Sequence, residues 1–430
     1  MTNQSAAPAG VLAPISNRWL VVVGAILIQL SLGALYAWSV FTPALTAEPF
    51  NFTKSQTQWI FSVGLLCFAV AMLFAGRWQA AAGPALPTRV GGLLLGVGYV
   101  AAKFVGTSFP GLLITIGILG GLGIGLAYVV PIAVGVKWFP DRKGLITGLA
   151  VAGFGFGALI WMKVAGEWGH LIDKYTVSNV FMYFGITFFL LVMIGSYWMK
   201  NPPAGWKPPG WTPAAAMQAG GGGGHSLATR EMFATPQFYM LWVMYLCGSM
   251  AGLMVIGLIK LFGIEVLQGR AGLTETAASA VAGTAMGVFF AIGNGLGRIL
   301  WGGISDKLGR KMSLTLMMAI QGAILLLFAT IGASPIGLYI ASAIVGFNFG
   351  GNIALFPVAT ADTFGNKTVG TNYPWVFTAY GIGGIAGPQI GAYFGSLGAW
   401  NTAFVVGGSA CFLAAILGLL LKRPQTTSAA

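Results

Sequence analysis

The stretch at 289–311, FFAIGNGLGRILWGGISDKLGRK, sets a permanent charge among residues that otherwise read as membrane-spanning. Its second half is an ordinary exit from a bilayer. Lys307, Arg310 and Lys311 follow the last apolar residues, where a chain reaching the headgroups places its charges. Arg298 is different, because it lies inside the run of Gly, Ala, Phe, Ile and Leu. A central arginine costs about 2.5–3.5 kcal/mol on insertion scales and cannot lose its proton to escape. What that guanidinium meets inside the membrane is the question from which the function is read.

Composition makes the bilayer the solvent. Hydrophobic residues are 57% of the 430 and charged residues only 7%, with a mean hydropathy of +0.82; a soluble domain carries about 25% charged residues. The 66 glycines fit helices that pack through small residues, since lipid offers no hydrophobic drive between them. The net charge of +13 falls between apolar segments and not on one solvated face, which excludes a nucleic-acid surface. Cys67, Cys247 and Cys411 lie within apolar runs, with neither disulfide nor metal spacing, and read as core. The apolar run after Arg18 is too long for a signal-peptide core and is read as the first span.

Working outward from 289–311, stretches long enough to span fall near 19–41, 57–79, 90–109, 111–137, 144–166, 179–199, 237–262, 279–303, 312–331, 335–359, 372–394 and 399–421. The expected architecture is an all-α membrane protein of twelve transmembrane helices in two six-helix bundles. A tail (1–18) precedes the first bundle (19–199). A Pro- and Gly-rich linker (200–236) leads to the second bundle (237–421) and a short tail (422–430). Of the 22 lysines and arginines, fifteen fall on the side of the termini and linker and six on the other; Arg298 belongs to neither. The richer side is expected to be cytoplasmic, in a multi-pass protein of the cell (inner) membrane.

The two halves repeat at an offset of 226 residues. Gly76 and Gly83 answer Gly302 and Gly309, Pro131 answers Pro357, and Gly155 and Gly157 answer Gly381 and Gly383. A parallel repeat of this kind is typical of secondary transporters, whose substrate site lies at midplane between the halves.

Four motifs resemble a known family. WGGISDKLGRK after the eighth span is similar to the loop signature of the major facilitator superfamily. YAWSVF at 36–41, KWFPDRKGLITGLAVAGFGFGALI at 137–160 and ALFPVATADTFG at 354–365 resemble its oxalate/formate antiporter branch, related to monocarboxylate transporters. The resemblance implies the major facilitator fold, rocking around a central site, and no enzyme activity. It also gives Asp306 and Arg310, four residues apart, the role of a gate on the cytoplasmic side. The equivalent first-half position is Ala80, so any such gate is one-sided.

For Arg298 the competing reading is snorkelling, since the span ends near Gly303 about 8 Å away. Asn294, one turn earlier on the same face, and the glycines between them point instead to a site. Every Asp and Glu falls in a loop or at a span end. A buried cation without a protein anion fits an anion that comes and goes, so Arg298 is read as a carboxylate clamp. The branch has an arginine at this position, which supports the role. In its oxalate exchangers a lysine in span eleven adds a second positive charge; the aligned residue here is Tyr380. Lys103, Lys163 and Lys260 lie near outer span ends and are read as snorkelling. One fixed cation suits a monoanion and leaves the second carboxylate of a dianion unpaired.

The resemblance places Tyr36, Tyr128, Phe349 and Phe377 at aromatic pocket positions, against the alternative of plain helix packing. Tyr380 and Asn294 are read as hydrogen-bond donors to the substrate. Trp38 reads as packing. GNGLGR lacks a preceding strand and reads as a helix-packing pattern, so no dinucleotide, other cofactor or metal is expected. His170 and His225 are loop residues, and Asn294 stands where animal monocarboxylate transporters carry an acid. Coupling is therefore expected through a proton arriving with the substrate or through anion exchange. The expected protein is a monomeric, lipid-embedded carrier of small monocarboxylates of the lactate, pyruvate or formate type. Its rivals are a dicarboxylate exchanger of the oxalate type, a transporter-like carboxylate sensor, and a channel.

Overall fold

The computed structural model describes residues 17–139, 143–166, 168–203, 206, 208, 227–365 and 368–422. The glycine tract at 220–224, His225 and the side chain of Asp306 lie outside the described set. No strand occurs among the described residues.

Twelve long helices make up the structure. The first six are α1 (Trp19–Val40), α2 (Lys54–Ala82), α3 (Ala85–Ala102), α4 (Phe109–Gly135), α5 (Lys143–Ala165) and α6 (Val177–Ser196). The second six are α7 (Pro236–Ala271), α8 (Glu275–Leu308), α9 (Arg310–Ile331), α10 (Pro335–Phe364), α11 (Val369–Ser396) and α12 (Trp400–Leu420). Eleven are long and apolar enough to cross a membrane. The exception, α11, has the length, but Pro374, Pro388 and many glycines dilute its apolar content. Val376, Phe377, Ala379 and Tyr380 on it are buried, so this helix faces other helices more than lipid.

The largest departures from the sequence reading are in α3 and α7. Helix α3 starts at Ala85 and stops at Ala102, because Gly83 at φ 80° ends α2 and Gly106 at φ 61° turns the chain early. Helix α7 runs nine residues past the expected 262, carrying Glu265 and Arg270 beyond the apolar stretch, until Gly272 at φ 64° stops it.

The repeat is visible in the packing. Three pairs recur: α1 with α5, α2 with α4 and α3 with α6 in the first bundle, and α7 with α11, α8 with α10 and α9 with α12 in the second. These are the same three pairs, six helices on. Gly83 and Gly309, 226 residues apart, end α2 and α8 with nearly the same backbone (φ 80°, ψ 167° and φ 81°, ψ 153°), a conformation that glycine adopts without strain. Pro131 and Pro357 are both inside helices, in α4 and α10.

The bundles meet along α2–α11 and α5–α8. A Cβ added to Gly155 would lie 3.5 Å from the Gly295 backbone nitrogen, and one added to Gly381 would lie 2.6 Å from Ala69 Cβ. These two crossings are equivalent under the repeat. Small residues let the backbones nearly touch there, giving the bundles two matched joints.

Candidate functional site

Arg298 leaves α8 at the α5–α8 joint and is 2% exposed, so it does not snorkel. Its Nε donates to Asn294 Oδ1 at 2.8 Å on the same helix, the partner expected at i−4. Its Nη1 donates to the Val151 carbonyl oxygen at 2.7 Å, across to α5 of the other bundle. The guanidinium carbon lies 5.7 Å from the centre of the Phe154 ring, within cation–π range. Nη2 is buried and meets no acceptor in hydrogen-bond geometry. A guanidinium has five N–H donors. Two are committed to Asn294 and Val151, and three are left, two of them on Nη2, with the Tyr128 hydroxyl close by.

No carboxylate among the described residues meets this charge. Among the described residues, carboxylates pair elsewhere, as in Lys54–Glu265, His170–Asp173 and Arg310–Asp362. The guanidinium is compensated by neutral dipoles and a ring face, which solvate a cation without neutralising it.

Aromatic residues from both bundles close around it. Tyr36 on α1 packs on Phe154 (ring centres 4.9 Å) and Phe349 (5.7 Å). Its hydroxyl bonds the Tyr380 hydroxyl on α11, linking the two bundles. Phe377 stacks on Tyr380 at 4.7 Å, and Tyr128 packs at 5.5 Å from Phe154 and 6.3 Å from Phe377. The Tyr36, Tyr128, Tyr373 and Tyr380 hydroxyls all lie within electrostatic reach of Arg298. The structure thus gathers all seven residues read as substrate-binding: Arg298, Asn294, Tyr36, Tyr128, Tyr380, Phe377 and Phe349. Asn294 differs in what it touches, since its Oδ1 holds Arg298. Trp38 donates to the Thr57 carbonyl and stacks on Phe181, as a packing residue does.

Several members of the site went unread. Phe68 on α2 contacts Tyr128 (5.0 Å), Phe377 (5.2 Å) and Tyr380 (6.0 Å). Tyr245 on α7 approaches Tyr380 at 6.1 Å, stacks on Phe356 at 4.2 Å, and sets its hydroxyl 3.4 Å from that of Tyr373. The 226-residue offset, which already pairs Tyr380 with Phe154, could have found two of them, for it maps Asn294 to Phe68 and Phe377 to Val151.

At the end away from the termini, polar contacts join the bundles. Gln58 Nε2 donates to the Gly257 carbonyl at 3.1 Å, Ser55 Oγ to Gln389 Oε1 at 3.2 Å, and Lys54 pairs with Glu265 at 3.8 Å. Near the same end the snorkelling expected of Lys163 is corrected. It is 5% exposed, with its stem over Gly287 of α8, where the missing side chain leaves a gap that an aliphatic stem fills. At the termini end, Arg310 Nε pairs with Asp362 at 3.1 Å and its Nη1 bonds Ser305. The expected pairing of Arg310 with Asp306 rests on a side chain outside the described residues.

The profile of the Major Facilitator Superfamily matches residues 27–290 and 271–430. An uncharacterized MFS-type transporter, YhjX of Escherichia coli K12, is 32% identical over 86% of both chains. The oxalate:formate antiporter of Oxalobacter formigenes is 28% identical over 93% of this chain and 90% of its own. Apicoplast pyruvate carrier 1 of Toxoplasma gondii is 26% identical over 79% and 69%. In fold, the chain matches the proton:xylose symporter XylE with a TM-score of 0.66 at 16% identity, over 95% of this chain and 96% of that one.

Proposed function

The chain belongs to the Major Facilitator Superfamily, and on that premise we propose that it is a secondary transporter of small monocarboxylates of the lactate, pyruvate or formate type, working by alternating access. The observation that carries this reading is Arg298. It is the one cation in the gathered aromatic site, and it has donors to spare and no carboxylate against it among the described residues. A carboxylate bonded to Nη2 and to the remaining N–H of Nη1 receives a planar two-point fork while Asn294 and Val151 hold the plane. Tyr36, Tyr128 and Tyr380 offer hydroxyls to the substrate's other oxygens, and Phe349 and Phe377 enclose its carbon atoms. Tyr380 stands where a second cation would be needed for a dianion. The pyruvate carrier among the relatives supports the monoanion reading.

Around this site we assign the first bundle to 19–199, the linker to 200–236 and the second bundle to 237–421, with both termini on the cytoplasmic side of the cell membrane. Arg310, with Asp306, forms the cytoplasmic gate in this reading; the Arg310–Asp362 contact supports a charge cluster there. The Gln58–Gly257 contact belongs to the outer closure. The carrier works as a monomer in lipid and takes its proton, where one moves, together with the substrate.

The oxalate:formate antiporter among the relatives favours a second reading, exchange of a dicarboxylate. Uptake of labelled lactate, pyruvate, formate and oxalate into proteoliposomes separates the two. Uptake of the three monocarboxylates without oxalate supports the first reading, and preferential oxalate uptake supports the second.

A further inference from the structure

The partners of Arg298 bear on how the carrier cycles. A carrier that binds an anion with one buried cation has a difficulty on the return stroke, when no anion accompanies it. The guanidinium must pass through the closed arrangement, and a buried charge without acceptors is strongly disfavoured. Carriers that leave the cation bare are thereby confined to exchange.

Here the closed arrangement supplies acceptors of its own. Arg298 is 2% exposed, and two of its three nitrogens are bonded to protein, Nε to Asn294 Oδ1 and Nη1 to the Val151 carbonyl. The second acceptor comes from the opposite bundle, at the joint where Gly155 and Gly295 bring the backbones together. Gly155 is the residue whose N–H ordinarily bonds the Val151 carbonyl within α5, one turn on. Having no side chain, it leaves that carbonyl open to a second donor from α8. The Phe154 ring covers a further face of the cation. Arg298 therefore makes an inter-bundle contact in this arrangement that uses Nε and Nη1 and leaves Nη2 out of it.

We infer that this carrier returns without cargo, so that it catalyses net flux of its anion and is not confined to one-for-one exchange. The inference rests on the monocarboxylate reading of the same site. Asn294 acts in it as a positioning residue whose dipole substitutes for the absent anion during the return stroke.

The test is efflux from proteoliposomes loaded in turn with labelled lactate, pyruvate and formate, with potassium and valinomycin clamping the potential. Efflux is measured into acid-free buffer and into buffer containing the same acid unlabelled and saturating. For the wild-type protein the two rates should agree within about fivefold. Asn294→Leu keeps the volume and removes the acceptor. It should lower the ratio of net efflux to exchange tenfold or more, because a bound carboxylate compensates the cation on the loaded stroke alone. A wild-type protein that releases label solely when external acid is present overturns the inference, and so does an unchanged ratio in Asn294→Leu. If that variant does not fold, the wild-type comparison decides by itself. Failure of both net efflux and exchange for every acid defeats the monocarboxylate reading, and this inference falls with it; intact exchange without net efflux defeats the inference alone.

Discussion

Tyr380→Lys should turn a monocarboxylate site into one that accepts dicarboxylates. Tyr380 is wholly buried, and its hydroxyl sits between the bundles, bonded to that of Tyr36. A lysine there brings an ammonium to about the same depth. For oxalate or malonate on Arg298, the second carboxylate then gains a charge-assisted partner worth about 1.5–3 kcal/mol, or about 10- to 150-fold in affinity. A monocarboxylate gains no such partner and loses a hydroxyl donor worth about 0.5–1.5 kcal/mol. The new charge also faces Arg298. Arg298 acts electrostatically on this position, so two like charges would share a buried site, and the variant should be less stable than wild type and should be rescued by dianions. Tyr380→Phe separates the two effects, since it removes the hydroxyl and adds no charge. Phe154→Lys, at the equivalent first-half position, is no neutral control for added charge, because the Phe154 ring lies 5.7 Å from the guanidinium carbon. The assay is competition by each acid against labelled lactate on purified protein, with thermal stability measured in parallel. If Tyr380→Lys shows the same dicarboxylate-to-monocarboxylate ratio as Tyr380→Phe, counting fixed cations does not explain selectivity here.

Three further outcomes are expected. Arg298→Lys should weaken monocarboxylate binding by about 2–4 kcal/mol, because a point charge cannot hold Asn294, the Val151 carbonyl and a forked carboxylate together; equilibrium binding checks this, and a loss under threefold contradicts it. Gly257→Ala sets a Cβ 2.5 Å from Gln58 Oε1, so the Gln58 amide must shift and give up its bond to the Gly257 carbonyl; this should loosen the outer closure and slow turnover with little change in binding, which stopped-flow uptake beside equilibrium binding checks. Asp306→Asn should slow turnover severalfold while binding stays within about twofold, since a gate acts on the equilibrium between states; stopped-flow uptake alongside equilibrium binding distinguishes these, and the reverse pattern removes Asp306 from the gate.

The spans, the repeat and Arg298 were legible in the sequence because each rests on a strong one-dimensional signal. Apolar runs of about 20 residues stand out, glycines and prolines recur at one offset, and a lone cation interrupts a greasy stretch. What escaped depends on the third dimension. The acceptor at Val151 is a backbone carbonyl, which every residue possesses and no composition reveals. The bond from Arg298 to Asn294 Oδ1 was not read, since a residue at i−4 can reach either the substrate or the arginine and the sequence does not say which. Lys163 shows a similar limit. Position near a span end predicts snorkelling, yet a glycine on a neighbouring helix gives its stem a buried path. Phe68 was within reach, had the offset been applied to Asn294 as it was to Tyr380, whose equivalent is Phe154. The length of α7 was not, because an exposed helical extension carries charges and reads as a loop.

The central claim is that one buried arginine makes this a carrier of monocarboxylates, and uptake of labelled lactate into proteoliposomes, wild type beside Arg298→Lys, tests it most directly. The expected result is uptake by the wild-type protein that unlabelled lactate, pyruvate or formate suppresses at concentrations about tenfold or more below those needed with oxalate or malonate, and that the variant abolishes. Uptake that persists in Arg298→Lys, or that oxalate suppresses as readily as lactate, would contradict it.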